Sequence, residues 1–368
     1  MNIAFVLLTY NPNEPAGIER SVAGLAEGLR RIGHRALIIA AGPATSADGG
    51  DLVRLAGLTL PRPAVEDDLH ALMVDHAPVE REIHQVLADR EIDLVCWVDA
   101  VWGLGYLSPA PKGVRTALMV HVLRTDAPML TALNRLPDTV LTVSRFMIED
   151  AARQGLDASS WKVLPNAVPV RREPPDAAER EGLRRSGPIR IVARAEPHKG
   201  IAELLRGLPG GFPCDVEIVL AAAGFEYWPG MQEQVLSECR ALAAKLAQVE
   251  LLPALPWEAV PDFLAGAAAC LIASTSPETF GLVAAEALSV ATPVVGYGLG
   301  HLPELTGPAG SMVELSEGPE RLWQAAAALL TDRDAYHRAS NAGPHQVSGY
   351  APRAVAQSFL DHCLGWTG

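Results

Sequence analysis

Short runs of almost unbroken apolar residues recur along the chain, each followed by a longer stretch whose apolar positions repeat at helical spacing. Asn2–Leu8, Ala36–Ala41, Asp93–Val98, Thr116–His121, Thr139–Val143 and Lys162–Leu164 read as strands. Ile18–Ile32, Pro78–Arg90, Ala127–Arg135 and Arg145–Gln154 read as the helices between them. Strands apolar on both faces and separated by helices predict a parallel sheet covered on each side. The stretch Val168–Pro188, rich in Pro, Arg and Glu, interrupts the alternation. It then restarts with strands at Ile189–Ala193, Val216–Leu220, Ala269–Ala273 and Pro293–Gly296, and helices at Met231–Ala247, Glu258–Ala265, Leu282–Ser289 and Pro319–Thr331. The fold class expected is α/β, with two Rossmann-like doubly wound domains facing across a cleft. The expected division is 1–170, 171–345 and a C-terminal segment, 346–368, whose helix Pro352–Leu364 packs back on the first domain.

Length and composition agree with that division. A chain of 368 residues, 49% hydrophobic and 20% charged, is globular and too long for one ordinary core. A net charge of −13 argues against nucleic acid as a partner and leaves only a peripheral membrane contact open. No apolar run has the length of a membrane span and no leader pattern opens the chain, so the expected location is cytoplasmic. The five cysteines are scattered without a Cys-x-x-Cys pair, which points to buried thiols and to neither a disulfide framework nor a zinc site.

The chemistry concentrates after strands. Gly17, in the turn before the first helix, would allow close backbone approach to a phosphate at a helix N-terminus; an ordinary strand-to-helix turn explains it equally. Arg194 ends a buried strand and Lys199 follows within Glu196-Pro197-His198-Lys199-Gly200, so two cations stand where open α/β sheets bind ligands. Arg offers a planar fork to a diphosphate and Lys a compact charge; solvated surface charges are the alternative. The densest constellation is Ser274-Thr275-Ser276-Pro277-Glu278-Thr279-Phe280-Gly281-Leu282, with Glu286 following. Gly281 would open a helix whose first amides cradle phosphate, while Glu278 and Glu286 address different hydroxyls of one ligand. In Cys96-Trp97-Val98-Asp99-Ala100-Val101-Trp102, Trp97 and Trp102 would stack an acceptor ring with Asp99 orienting its hydroxyl; core tryptophans with an edge acid are the competing explanation.

These motifs together resemble the retaining glycosyltransferases of family 4, the glycogen-synthase-like group of GT-B fold. The family's Glu-x7-Glu pattern matches Glu278 and Glu286, its Gly-Arg…Lys-Gly segment matches Ala193-Arg194…Lys199-Gly200, and its Pro-Asn-Gly turn matches Pro165-Asn166-Ala167. The resemblance implies a metal-independent enzyme without cofactor, whose partners are a nucleoside diphosphate sugar donor and a small soluble acceptor. It implies that Arg194 and Lys199 hold the diphosphate, Glu278 the donor sugar, Glu286 the ribose, and backbone at Phe280, Gly281 and Leu282 the sugar and phosphate. Gly17 would add a phosphate contact, and His121 matches the family's active-site histidine; a core histidine at a strand end is the alternative. Transfer of a hexose-type sugar with retention, to a sugar, cyclitol or natural-product aglycone, is the activity implied. A nucleotide-sugar 2-epimerase and a non-catalytic sensor or degenerate subunit are the alternatives.

The chain departs from the family pattern at Ala16, Ala193, Thr279 and Ala291, where glycines are frequent, and at His301, second of a usual Gly-Gly pair. Thr279 and His301 bear on the sugar pocket. Asp332-Arg333-Asp334 has the form of a metal-binding Asp-x-Asp but reads as a solvated helix end, so no metal site is expected. Gly298-Leu299-Gly300 lacks the third glycine of a dinucleotide fingerprint. Phe225–Trp228 is placed to frame the base.

Overall fold

The structure, a computed structural model, describes residues 1–12, 14–42, 50–107, 110–169 and 172–365. The chain divides into two compact units: Met1–Pro12, Ala16–Pro169 and Tyr350–Gly368 form the first, Asn13–Pro15 and Val170–Gly349 the second. The boundary expected between positions 170 and 171 falls outside the described residues.

The first unit is built on strands β1 (Asn2–Thr9), β2 (Arg35–Ala41), β3 (Leu52–Arg54), β4 (Leu94–Val98), β5 (Arg115–Val120), β6 (Thr139–Thr142) and β7 (Lys162–Val163). They lie in the order β3-β2-β1-β4-β5-β6-β7, every pair parallel. All five residues of β4 and the six inner residues of β1 are buried, because helices cover both faces of the sheet. The second unit carries β8 (Ile189–Arg194), β9 (Val216–Ala221), β10 (Val249–Leu252), β11 (Ala269–Ile272), β12 (Val294–Tyr297) and β13 (Gly310–Val313). Their order is β10-β9-β8-β11-β12-β13, again all parallel. In each sheet the order reverses beside the first strand, at β1/β4 and at β8/β11. Crevices at such reversals, outside the carboxyl ends of the strands, are where open α/β sheets take their ligands.

The last helix, Pro352–Leu364, belongs to the first unit for local reasons. It lies so close to the helix Gly17–Arg31 that a Cβ on Gly28 would sit 2.0 Å from the Pro352 carbonyl oxygen. Phe359 packs on Phe5 of β1 with ring centroids 5.5 Å apart. Its C-terminal carbonyls meet cations, which suits the negative end of a helix: Lys162 Nζ donates to His362 O (2.9 Å) and Arg115 Nη1 to Cys363 O (3.1 Å).

In the second unit the Pro-, Arg- and Glu-rich stretch that interrupts the alternation contains a helix, Ala177–Ser186, started by an Asp176/Glu179 capping box. Its Arg180 is 2% exposed and donates to the carbonyls of Ala267 (2.8 Å), Val290 (2.9 Å) and Ala265 (3.2 Å). A charged side chain thus satisfies backbone acceptors at the edge of the core. The Asp-x-Asp segment also has a structural task, since Asp332 caps the helix Arg333–Gln346 by accepting from Ala335 N (2.9 Å). Among the described residues no helix is long and apolar enough to cross a membrane, and no group of three or more His, Cys, Asp or Glu is placed to hold a metal ion.

Candidate active site

The β8/β11 reversal brings two loops together. On the β8 side, Pro197–Lys199 forms one 3-10 turn and Gly200, at φ 68°, starts the helix Ile201–Arg206. A Cβ on Gly200 would lie 2.2 Å from the Ala273 carbonyl oxygen, so glycine is what lets this loop close on the end of β11. Thr275 N donates to His198 O (2.8 Å) and completes the lacing.

Across that junction Lys199 Nζ lies 2.7 Å from Glu278 Oε1, which also accepts from Ser274 Oγ at 2.5 Å. Burial raises the Glu278 carboxyl, but Lys199 beside it, the two hydrogen bonds and the Arg194 charge outweigh that and hold it below the usual carboxylate range. Glu278 is therefore ionised at neutral pH. Its backbone is fixed from the loop after β12, where His301 N donates to Glu278 O (2.8 Å) and Gly300 forms a parallel bridge with Glu278. Gly300 has φ 66°, and a Cβ there would lie 2.3 Å from Glu278 O. The His301 ring stacks on Phe280, itself 2% exposed, with centroids 5.9 Å apart.

Gly281, at φ 89°, precedes the helix Leu282–Ser289. It has no side chain to cap the helix, whose first-turn amides are donors at the positive end of the dipole. Glu286 lies one turn in and is buried.

On the far side of Lys199, Arg194 Nη1 is 2.9 Å from Glu196 Oε1, and His198 Nε2 is 3.1 Å from Glu196 Oε2. Glu196 is 2% exposed, whereas the Arg194 side chain is 39% exposed. Burial, with the Lys199 and Arg194 charges, lowers the His198 pKa, although Glu196 and Glu278 work against it. The His198 ring meets Tyr227 edge-on (6.0 Å), and Tyr227 meets Phe225 (5.7 Å). Of Phe225–Trp228, the segment expected beside the base, Tyr227 and Trp228 are half exposed and Glu226 is buried, accepting from Gly230 N (2.8 Å) and Gln232 N (3.2 Å).

Arg194, Lys199, Glu278, Phe280, Gly281, Leu282 and Glu286 thus share the reversal point of the second unit. Gly17, Trp97, Asp99, Trp102 and His121 belong to the first unit, at its own β1/β4 reversal and the neighbouring end of β5. Asp99 takes φ 87°, unusual for a residue with a Cβ, and is wholly buried. Its Oδ1 accepts from Val101 N (3.1 Å) and Trp102 N (3.4 Å), its Oδ2 from Val122 N (2.9 Å) and His121 N (3.1 Å). A carboxylate spent on four backbone amides is not aimed at an acceptor. Trp97 is buried within β4 and Trp102 is half-buried, so the core explanation fits Trp97 and Asp99 better than the acceptor one. Asp99 instead holds the backbone that carries His121. The His121 ring is buried, its Nε2 meets no hydrogen-bond partner among the described residues, and burial lowers its pKa to about 4. Gly17 has open space where a Cβ would stand. Two residues on, Glu19 uses its carboxylate on Thr9 Oγ1 (2.9 Å) and Asn11 N (2.5 Å). Both the turn and a close approach of phosphate to the backbone fit that open space at Gly17.

Residue reasoning missed Glu196, Ser274 and Gly300 as parts of the site. Ser274 and Glu196 lay inside quoted segments; Gly300 stood in a Gly-x-Gly set aside for lacking a dinucleotide context, which it still lacks.

Comparison with known proteins is consistent with this geometry. Residues 186–346 match the family model described as glycosyl transferases group 1, and residues 15–172 the one described as glycosyltransferase family 4. The alpha-maltose-1-phosphate synthase of Mycolicibacterium smegmatis is 30% identical over 243 residues, which span 61% of this chain and 62% of that protein. Sucrose-phosphate synthase from Thermosynechococcus elongatus superposes with a TM-score of 0.74 at 17% identity, over 97% of this chain and 96% of its own. HepE of Anabaena, solved in complex with UDP-glucose, gives 0.75 at 16% identity over 100% of both chains. At such identities the likeness is one of fold, the GT-B class with its paired Rossmann-like units.

Proposed function

The chain belongs to the group 1 glycosyltransferases, and from that premise we propose that it transfers a hexose-type sugar from a nucleoside diphosphate sugar to a hydroxyl of a soluble acceptor, with retention at the anomeric carbon. The observation that carries the donor half of this reading is the Arg194–Lys199–Glu278 cluster at the β8/β11 reversal, with Glu278 in the loop that leads into the helix Leu282–Ser289. Breaking the anomeric bond leaves positive charge on the sugar and negative charge on the departing diphosphate. Arg194, Lys199 and the helix amides supply fixed hydrogen-bond donors for the leaving group, which stand in for a metal in this reading. Glu278, kept ionised beside Lys199, accepts hydrogen bonds from sugar hydroxyls, and Glu286 takes the ribose diol. His121, which the family resemblance makes an active-site histidine, has its pKa lowered to about 4 by burial, so in this reading it serves as a neutral imidazole and not as a proton donor. Retention by front-face attack follows the family, as does a sugar, cyclitol or natural-product aglycone as acceptor.

The test is a donor panel headed by UDP-glucose and GDP-mannose, run with and without sugar and cyclitol acceptors and read by mass spectrometry. A glycosylated acceptor that forms only when both substrates are present is expected, with turnover falling at least a hundredfold in Glu278→Ala. Donor isomerisation without acceptor would replace the proposal with an epimerase. Undiminished transfer by Glu278→Ala would remove Glu278 from the sugar site.

A further inference from the structure

We propose that Glu196 is a positioning residue for donor binding: a buried carboxylate that holds the Arg194 guanidinium in the orientation in which it grips the diphosphate. This rests on the donor reading above and adds a residue outside the Glu-x7-Glu and Arg…Lys-Gly matches.

Three observations carry it. Glu196 is 2% exposed, so its charge has left water, and a buried carboxylate persists only where cations and hydrogen bonds replace the lost solvation. Its Oε1 lies 2.9 Å from Arg194 Nη1, an ion pair, whereas its Oε2, 3.1 Å from His198 Nε2, has no hydrogen-bond partner among the described residues, so Arg194 is the cation that compensates its charge. Arg194 is exposed over 39% of its side chain, so it is not sealed in the core with Glu196. An arginine has five N–H donors, and holding it through one nitrogen narrows the positions the guanidinium takes while leaving donors for a second anion.

The local backbone explains why Glu196 faces inward. Ala195, directly after β8, is buried and its N–H donates to Ala221 O at 2.8 Å, which extends the parallel register with β9 by one residue. Glu196 N then returns to Arg194 O at 2.8 Å, a tight reversal that keeps the two side chains together. Glu196 also stands ahead of the 3-10 turn Pro197–Lys199, and its carbonyl accepts from Lys199 N at 3.0 Å. One residue thereby links the two proposed diphosphate cations, Arg194 through its side chain and Lys199 through its backbone. Without this link a free arginine samples many rotamers, and ordering it on the ligand subtracts from affinity.

Isothermal titration of the whole protein with UDP, GDP, ADP and dTDP, and with the matching nucleosides, tests this on Glu196→Gln, Arg194→Ala and the double variant. Glutamine keeps the shape and one acceptor but loses the charge. Glu196→Gln is expected to weaken the preferred diphosphate about tenfold, the scale of a charge-assisted hydrogen bond, and to leave nucleoside affinity unchanged. In the Arg194→Ala background the same change is expected to have no further effect, because Glu196 acts through Arg194. Unchanged or tighter diphosphate binding by Glu196→Gln overturns the proposal. Equal losses in both backgrounds, or a parallel loss of nucleoside affinity, overturn it in favour of a general structural role. If Arg194→Ala alone leaves diphosphate affinity intact, the donor reading itself fails and the proposal with it.

Discussion

His121 and Asp99 should impose opposite pH dependences on the stability of the first unit. Burial lowers the His121 pKa from 6.5 to about 4, so the folded unit excludes a proton that the unfolded chain takes up. That contribution is complete above pH 6.5 and is lost as pH falls towards 4; the displacement corresponds to roughly 3 kcal/mol. Asp99 works the other way. Burial raises its carboxyl from 3.8 to about 6 against the four backbone hydrogen bonds that lower it, so its contribution is complete below 3.8 and is lost as pH rises through 6, again by roughly 3 kcal/mol. Both side chains are buried, so solvent screening does not shrink these figures. Between pH 4 and 6 the two slopes nearly cancel in the unmodified protein. Asp99→Asn removes one, and stability should then drop by about 3 kcal/mol more than in the parent on going from pH 6.5 to 4. His121→Gln removes the other, and stability should then rise relative to the parent over the same descent. Asp99→Asn also lowers stability at every pH, because an amide NH2 cannot accept from backbone N–H groups, but that offset leaves the slope alone. The assay is urea unfolding at several pH values, followed by hydrogen exchange of peptides covering β4 and β5. Curves for the three proteins that run parallel, within about 1 kcal/mol, would refute the burial argument.

Two further substitutions probe the scaffold of the second unit. Arg180→Met fills a similar volume but leaves the carbonyls of Ala265, Ala267 and Val290 without their donor; a loss of about 2–4 kcal/mol is expected in urea unfolding of that unit, with nucleoside diphosphate affinity of the folded protein unchanged. Gly300→Ala puts a Cβ 2.3 Å from Glu278 O at φ 66°, so the loop carrying Glu278 must shift; donor-sugar turnover should fall at least tenfold while nucleoside diphosphate affinity, read by calorimetry, changes little.

The sheets were legible because their strands are apolar on both faces. Leu282–Ser289 and Pro352–Leu364 fall where periodicity puts them, and most expected strand ends agree within one residue. Elements without such contrast were not read. The short strand Leu52–Arg54 is only half-buried, and Arg333–Gln346 is polar with an internal proline, Pro344. Ala177–Ser186 hid in a charged stretch, although Asp176-Ala177-Ala178-Glu179 is a capping-box pattern that marks a helix start. Within the site, residue types and spacing pointed to Arg194, Lys199, Glu278 and Gly281. They did not reveal pairing, because pairing depends on which loops the strand order brings side by side. Asp99 shows the same limit from the other direction. An acid after a buried strand reads as a ligand group until four backbone amides are found to converge on it.

That pairing bears on how the proposed donor site would work. Lys199 lies on Glu278 and Arg194 on Glu196, so two cations and two carboxylates leave no net charge before any ligand arrives. Under that proposal a diphosphate would not enter a bare cationic well but would share cations that already have anionic partners. At about 3 Å and an effective dielectric near 20, each pair attracts by roughly 5 kcal/mol before desolvation is subtracted, so displacing either carboxylate would consume most of what the phosphate gains. Sharing costs far less, because an ammonium has three N–H groups and a guanidinium five, so each cation keeps donors after those spent on its partners. The arrangement favours a ligand whose phosphate and hydroxyl groups reach both members of a pair at once, phosphate on Lys199 and hydroxyl on Glu278. A nucleoside diphosphate sugar would meet that requirement with its phosphates and its sugar hydroxyls.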